Sequence, residues 1–159
     1  MQNRQQGFTL IELVVVIVIL GLLAATALPK FIDVTTDARV ASVQGVAGGL
    51  RAAAALGQAQ YVVNGNKAAT SISMGGQTVT VLDENTYAGM GGRPDGQDTG
   101  IRIAMPDPDG FTVTPTLGGG GAVTGTVTYQ PTNGGNANCQ VVYSPNGLTD
   151  PVAVDVTGC

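Results

Sequence analysis

Residues 8–28 read Phe8-Thr-Leu-Ile-Glu12-Leu-Val-Val-Val-Ile-Val-Ile-Leu-Gly21-Leu-Leu-Ala-Ala-Thr-Ala-Leu28, and Glu12 is the one charge among them. About 20 apolar residues, at a rise of 1.5 Å each, span the ~30 Å hydrocarbon core of a bilayer. The stretch is therefore long enough to be a membrane segment. Before it stands a short polar leader, residues 1–7, with Arg4 its single charge. Ala25-Thr26-Ala27 offers a small-x-small pattern of the kind that signal peptidases cut, which would make the protein a secreted binding module. A carboxylate does not belong inside a signal core, however. Placing one in lipid costs at least ~2.5 kcal/mol and usually marks function. Glu12 thus sets this stretch apart from a signal peptide and from a plain anchor.

The helical pattern continues past residue 28. Val40, Val43, Val46/Ala47, Leu50, Ala53/Ala54, Gly57 and Tyr61 recur at three- and four-residue spacing, which predicts an amphipathic second half of one helix reaching from Phe8 to about Tyr61. Pro29 lies inside it and removes a hydrogen bond to the carbonyl four residues earlier. Gly21 weakens the helix by about 1 kcal/mol relative to alanine. The segment between Gly21 and Pro29 is expected to be the least stable part of the helix. Gly45, Gly48, Gly49 and Gly57 are expected to let that second half lie close on a sheet.

Eighteen of the 24 glycines follow residue 60. Segments of period two, rich in valine and threonine, occur at 77–82, 101–105, 111–117, 122–130, 140–144 and 152–156, separated by glycine, proline and asparagine turns. They predict an antiparallel meander with one face on the helix stripe, an α+β fold with the long helix as second layer. The chain divides into a leader (1–7), an apolar helix (8–29), an amphipathic helix half (30–62), a connector (63–100) and a sheet region (101–159). The connector stretch 87–100 is expected to be a polar, flexible surface loop.

Several functions are excluded. The chain has no histidine, which removes Ser-His-Asp and Cys-His catalysis and histidine-ligated metals. Seven basic residues, a net charge of −4 and no basic cluster argue against strong nucleic-acid binding. The connector lacks the phosphate-loop pattern. Asp107-Pro-Asp109-Gly110 sets two carboxylates beside a turn but lacks the full calcium loop. No enzyme and no cofactor are expected.

Gly7-Phe8-Thr9-Leu10-Ile11-Glu12 followed by an uncharged run ending at Pro29 resembles the class III signal of type IV pilins and pseudopilins. The stretch from Gly7 to Arg39, with Pro29-Lys30-Phe31 and Asp37-Ala38-Arg39, is similar to the mannose-sensitive haemagglutinin branch of the type IVa pilins. The resemblance covers about the first 60 residues. It implies that a prepilin peptidase cuts between Gly7 and Phe8 and that the new Phe8 amine is methylated. It also implies that Glu12 of one subunit neutralises the Phe8 amine of its neighbour during filament assembly, since a buried carboxylate is tolerable when paired. The stretch from Gly21 to Pro29 is the one that loses helical order in filaments of the family.

The resemblance further implies a major pilin forming a homopolymer. The precursor would be held in the inner membrane and handled by a pilus assembly machinery. The product would be an extracellular filament for surface attachment, aggregation or motility, through a host or surface receptor that the sequence does not identify. A pseudopilin of type II secretion or a minor pilin is the nearest alternative. Cys139 and Cys159 are the only cysteines. In an exported domain a disulfide between them is the default, and type IV pilins carry such an exposed C-terminal loop.

Overall fold

The computed structural model describes residues 8–116, 125–147 and 149–159; the side chains of residues 28, 29 and 31–33 also lie outside the description. The leader with Gly7, the Pro29 ring and the start of the strand expected at 122–130 therefore fall outside the described residues. The chain forms two units, Met1–Ala38 and Arg39–Cys159.

One helix, α1, runs from Leu10 to Asn64, 55 residues without interruption, three residues past the expected end. Its start is chemically defined. Thr9 is the N-cap, and Glu12, three residues on, returns a carboxylate oxygen to the Thr9 backbone N–H at 2.9 Å and to its hydroxyl at 2.6 Å. The Glu12 N–H in turn donates to Thr9 Oγ1 at 3.4 Å. This reciprocal pairing is a capping box, which satisfies donors that a helix N-terminus otherwise leaves open. The helix stops at Gly65, whose φ of 70° is the left-handed conformation that glycine supplies at a helix end. Its N–H reaches back to the Tyr61 and Val62 carbonyls at 3.3 and 3.1 Å.

In the first unit, the α1 side chains from Leu10 to Leu23 are all exposed. In the second unit, the expected stripe is buried: Val43, Val46, Ala47, Leu50, Ala53, Ala54 and Tyr61. Of the four glycines expected to ease close packing, only two do so. A Cβ at Gly57 would lie 2.7 Å from the Gly92 carbonyl oxygen, and one at Gly49 would lie 2.8 Å from the Met105 sulfur. Gly45 and Gly48 face open space.

After α1 comes a hairpin of β1 (Ser71–Met74) and β2 (Gln77–Thr80), turned by Gly75-Gly76. Both turn glycines have positive φ, the requirement of a two-residue turn that matches strand twist. β1 falls in the stretch read as connector, because its serines and flanking glycines mask the alternation. A short helix α2 (Ile101–Ala104) precedes a four-stranded antiparallel meander of β3 (Phe111–Thr116), β4 (Thr126–Pro131), β5 (Gln140–Tyr143) and β6 (Val152–Asp155), in that spatial order.

The expectation of a strand at 101–105 is corrected by α2. Five alternating residues are too few to separate period two from one helical turn. The helical turn buries Ile101 while the Arg102 guanidinium reaches Asp98 at 2.5 Å, four residues back, and also pairs with Asp107. An extended chain cannot meet a residue four positions away in this manner.

The sheet's inner face alternates large and small. Tyr129 stands opposite Val141 and Tyr143 opposite Val127, all four fully buried. These cross-strand pairs interlock over Leu50, Ala47 and Ala54 of α1. Pro115, which cannot donate to a ladder, sits on the edge strand β3.

Candidate functional site

Two parts of the chain hold the residues that the sequence singles out, and each is described within its own unit. In the first unit, the window Leu10–Ala27 has a mean hydropathy of 2.8 and none of it is buried. Phe8 is 93% exposed, at the head of this segment. The Glu12 carboxylate accepts from the Thr9 N–H and hydroxyl, so its position is set within the first helical turn. Thr9-x-x-Glu12 is a helix-start signature in the sequence, a local role for Glu12 beside the one its spacing from Phe8 suggests. Gly21 lies within unbroken helix and a Cβ there would meet nothing. The Thr26 hydroxyl donates to the Leu23 carbonyl at 2.9 Å, a back-bond of the kind that lets polar residues sit in apolar helices.

In the second unit, Cys139 and Cys159 form a disulfide. Cys139 lies just before β5 and is buried, and Cys159 lies beyond β6. The bridged segment is therefore largely the β5–β6 hairpin. Around the bridge the chain end is fixed by main-chain bonds. Asn136 N–H donates to the Gly158 carbonyl at 3.1 Å, and Gly158 N–H to the Asn138 carbonyl at 3.1 Å. Arg39 of α1 donates through Nε to the Cys159 carbonyl at 2.8 Å. The run 132–138 beside the bridge is exposed throughout.

The stretch 87–100, expected as a polar surface loop, packs inward at its centre, where residues 92–96 are buried. Arg93 donates to the carbonyls of Pro145 (3.2 Å) and Gly147. Its carbonyl accepts from Leu82, and Asp95 N–H donates to Thr80. The Tyr143 hydroxyl donates to the Pro94 carbonyl at 2.7 Å. The stretch is thus a strap joining β2 to the β5–β6 turn. Sequence reading missed it because its donors are satisfied by backbone carbonyls distant in sequence. Burial pushes the Asp95 carboxyl up to about 6, against one partly offsetting hydrogen bond from the Gln97 N–H.

Among the described residues no group of three or more acidic, histidine or cysteine side chains is placed to hold a metal. Asp107 is engaged by Arg102. Tyr129 Oη is buried without a hydrogen-bond partner among the described residues.

Residues 2–28 match the family described as the prokaryotic N-terminal methylation motif. The chain is 49% identical over 57 residues to the type IV narrow pilus major component of Thermus thermophilus, covering 36% of this chain and 49% of that one. It is 51% identical over 49 residues to a fimbrial protein of Moraxella nonliquefaciens, covering 31% and 32%. To a type IV major pilin of Neisseria gonorrhoeae it is 43% identical over 67 residues, covering 42% and 38%. The matched part spans less than half the length of each of these relatives. No solved structure matches the chain. The front of the chain thus carries the N-terminal methylation motif at the head of an exposed apolar helix and is similar there to type IV pilins and fimbrial proteins.

Proposed function

We propose that the chain is a structural subunit, the major pilin, of a type IV pilus filament. The observation that carries this is the apolar window Leu10–Ala27, none of it buried, which has a carboxylate near its head and lies within the methylation motif. Such a surface is compatible with water nowhere along its length, so it belongs first to the inner membrane and then to the core of a homopolymer. A prepilin peptidase cuts between Gly7 and Phe8, and the Phe8 amine is methylated. Glu12 then pairs with the Phe8 amine of a neighbouring subunit and sets its register. The segment Gly21–Pro29 is the part that loosens on assembly. The subunit performs no chemistry of its own, and the pilus assembly machinery does the work of export. The finished filament is extracellular and serves attachment, aggregation or motility.

The capping box makes the test clean. Glutamine at the third helical position serves a capping box as glutamate does, so Glu12→Gln removes the charge and keeps the cap. Membrane insertion and cleavage should be unchanged, while filaments sheared from cells should be lost. Filaments at normal abundance would exclude the pairing. N-terminal sequencing of the mature chain should begin at methylated Phe8; a start at Leu28 would make the apolar stretch a discarded signal and overturn the reading.

A further inference from the structure

Asparagine followed by glycine is prone to deamidation because no side chain shields the glycine nitrogen from the carboxamide. The chain has three such pairs: Asn64-Gly65, Asn133-Gly134 and Asn146-Gly147. Alike in sequence, they differ in the structure. The Gly65 N–H is held by the Tyr61 and Val62 carbonyls, and the Gly147 N–H donates to Ser144 at 3.1 Å. Among the described residues the Gly134 N–H makes no hydrogen bond. Asn133 and Gly134 are both exposed.

Asn133 has a second distinction. Arg39 Nη1 donates to its main-chain carbonyl oxygen at 3.4 Å, and a Cβ at Gly134 would lie 3.1 Å from the same nitrogen. That oxygen belongs to the peptide group whose nitrogen is the nucleophile. When the Gly134 N–H loses its proton, the negative charge spreads onto this oxygen, where a guanidinium already stands. A donor fixed where charge develops lowers the barrier. Arg39 is itself anchored by its Nε bond to the Cys159 carbonyl.

We propose that Asn133 is a site of self-modification, deamidating through a succinimide in the folded chain with Arg39 assisting. The Gly134 nitrogen gives its proton to a solvent base and forms a bond to Cγ of Asn133. The Cγ–Nδ2 bond breaks and ammonia leaves, carrying a proton. Water then opens the ring at either carbonyl, giving aspartate or isoaspartate. Nothing is oxidised or reduced. The product sets a carboxylate beside Arg39 and the bridged chain end, and isoaspartate adds a methylene to the main chain at the exposed run 132–138.

The test is peptide mapping of the full chain in detergent, incubated at mildly alkaline pH, with aspartate and isoaspartate resolved by mass spectrometry. Asn133 should convert several-fold faster than Asn64 and Asn146. In urea with the disulfide reduced, the three rates should converge. Equal rates in the folded chain, or a faster Asn64 or Asn146, would overturn the proposal. Arg39→Gln should slow Asn133 roughly three- to tenfold, the range for losing an ordinary solvent-exposed hydrogen bond, and leave the other two sites unchanged. An unchanged Asn133 rate in that variant excludes the assistance. Should Arg39→Gln unfold the chain, Asn64 and Asn146 will speed up and reveal it. Arg39→Lys, which keeps a positive charge but not the planar fork that holds the Cys159 and Asn133 carbonyls at once, then supplies the comparison: Asn133 should still slow, and a rate no slower than that of the parent chain excludes assistance by a fixed guanidinium donor.

Discussion

Leu20 and Leu50 lie on the same helix, yet Leu20 is 58% exposed and Leu50 is fully buried. The two halves of α1 are built by different rules. In the first, apolar residues run on every side and no sheet covers them. In the second, apolar residues keep to one stripe and the meander covers it. A helix apolar all round needs a nonaqueous surrounding, whereas a striped one needs a single partner. One element thus has its back half covered from within the chain and its front half exposed.

The sharpest way to break this comparison is to truncate one leucine in each half. Leu50→Ala should cost the second unit about 2–5 kcal/mol, the range for a buried leucine, read as a lower midpoint of thermal unfolding in detergent. Leu20→Ala should leave that midpoint where it is. Equal losses would mean that the front half also folds against the rest of the subunit.

Replacing both Cys139 and Cys159 by serine removes a cross-link over a sequence separation of 20. The expected loss is about 3 kcal/mol, confined to the second unit. Hydrogen exchange should quicken in β5 and β6 and remain unchanged over residues 10–27.

Asp95 sharpens the comparison through pH. Its folded pKa is raised to about 6 from 3.8, so the folded state binds the proton more tightly than the unfolded. Stability therefore declines as pH rises from about 4 to about 6, and stays lower above it. Asp95→Asn keeps an oxygen for the Gln97 N–H and has no charge to bury. It should raise stability at neutral pH by up to about 3 kcal/mol and flatten the pH profile in that window, with no change at pH 3. A profile that keeps its slope in the variant would assign the titration elsewhere.

The smallest effects come from two tyrosines on one sheet face. Tyr143 donates to the Pro94 carbonyl, and Tyr129 Oη has no partner among the described residues. Tyr143→Phe should cost about 1–2 kcal/mol because it strands a buried acceptor, while Tyr129→Phe should be neutral or slightly stabilising. Chemical denaturation of the two variants side by side decides it.

Much of this was legible beforehand. The stripe from Val43 to Tyr61, four strands of the meander and the apolar front half follow from periodicity, which burial preserves. The strand expected at 101–105 did not survive, since Arg102 finds Asp98 and Asp107 only around a helical turn. The strap through Arg93, Pro94 and Asp95 was illegible because its partners, the main-chain carbonyls of Thr80, Pro145 and Gly147 and the Tyr143 hydroxyl, lie beyond the reach of any local pattern. Gly45 and Gly48 resembled Gly49 and Gly57 in sequence, and only the covering residues told them apart. The Thr9–Glu12 capping box was legible, but Glu12 was read for its charge alone.

By itself the sequence determined the quantities that travel along the chain: the length of the apolar run, the place of one carboxylate within it, the helical period of the stripe, the strand period of two and the two cysteines. These depend on neighbours a few residues apart. Only the tertiary structure decided which charge is buried, which tyrosine is bonded, and which asparagine-glycine pair has its nitrogen held. Those outcomes depend on groups that meet from distant positions, where a hydrogen bond made or missed in a water-poor setting outweighs any local preference.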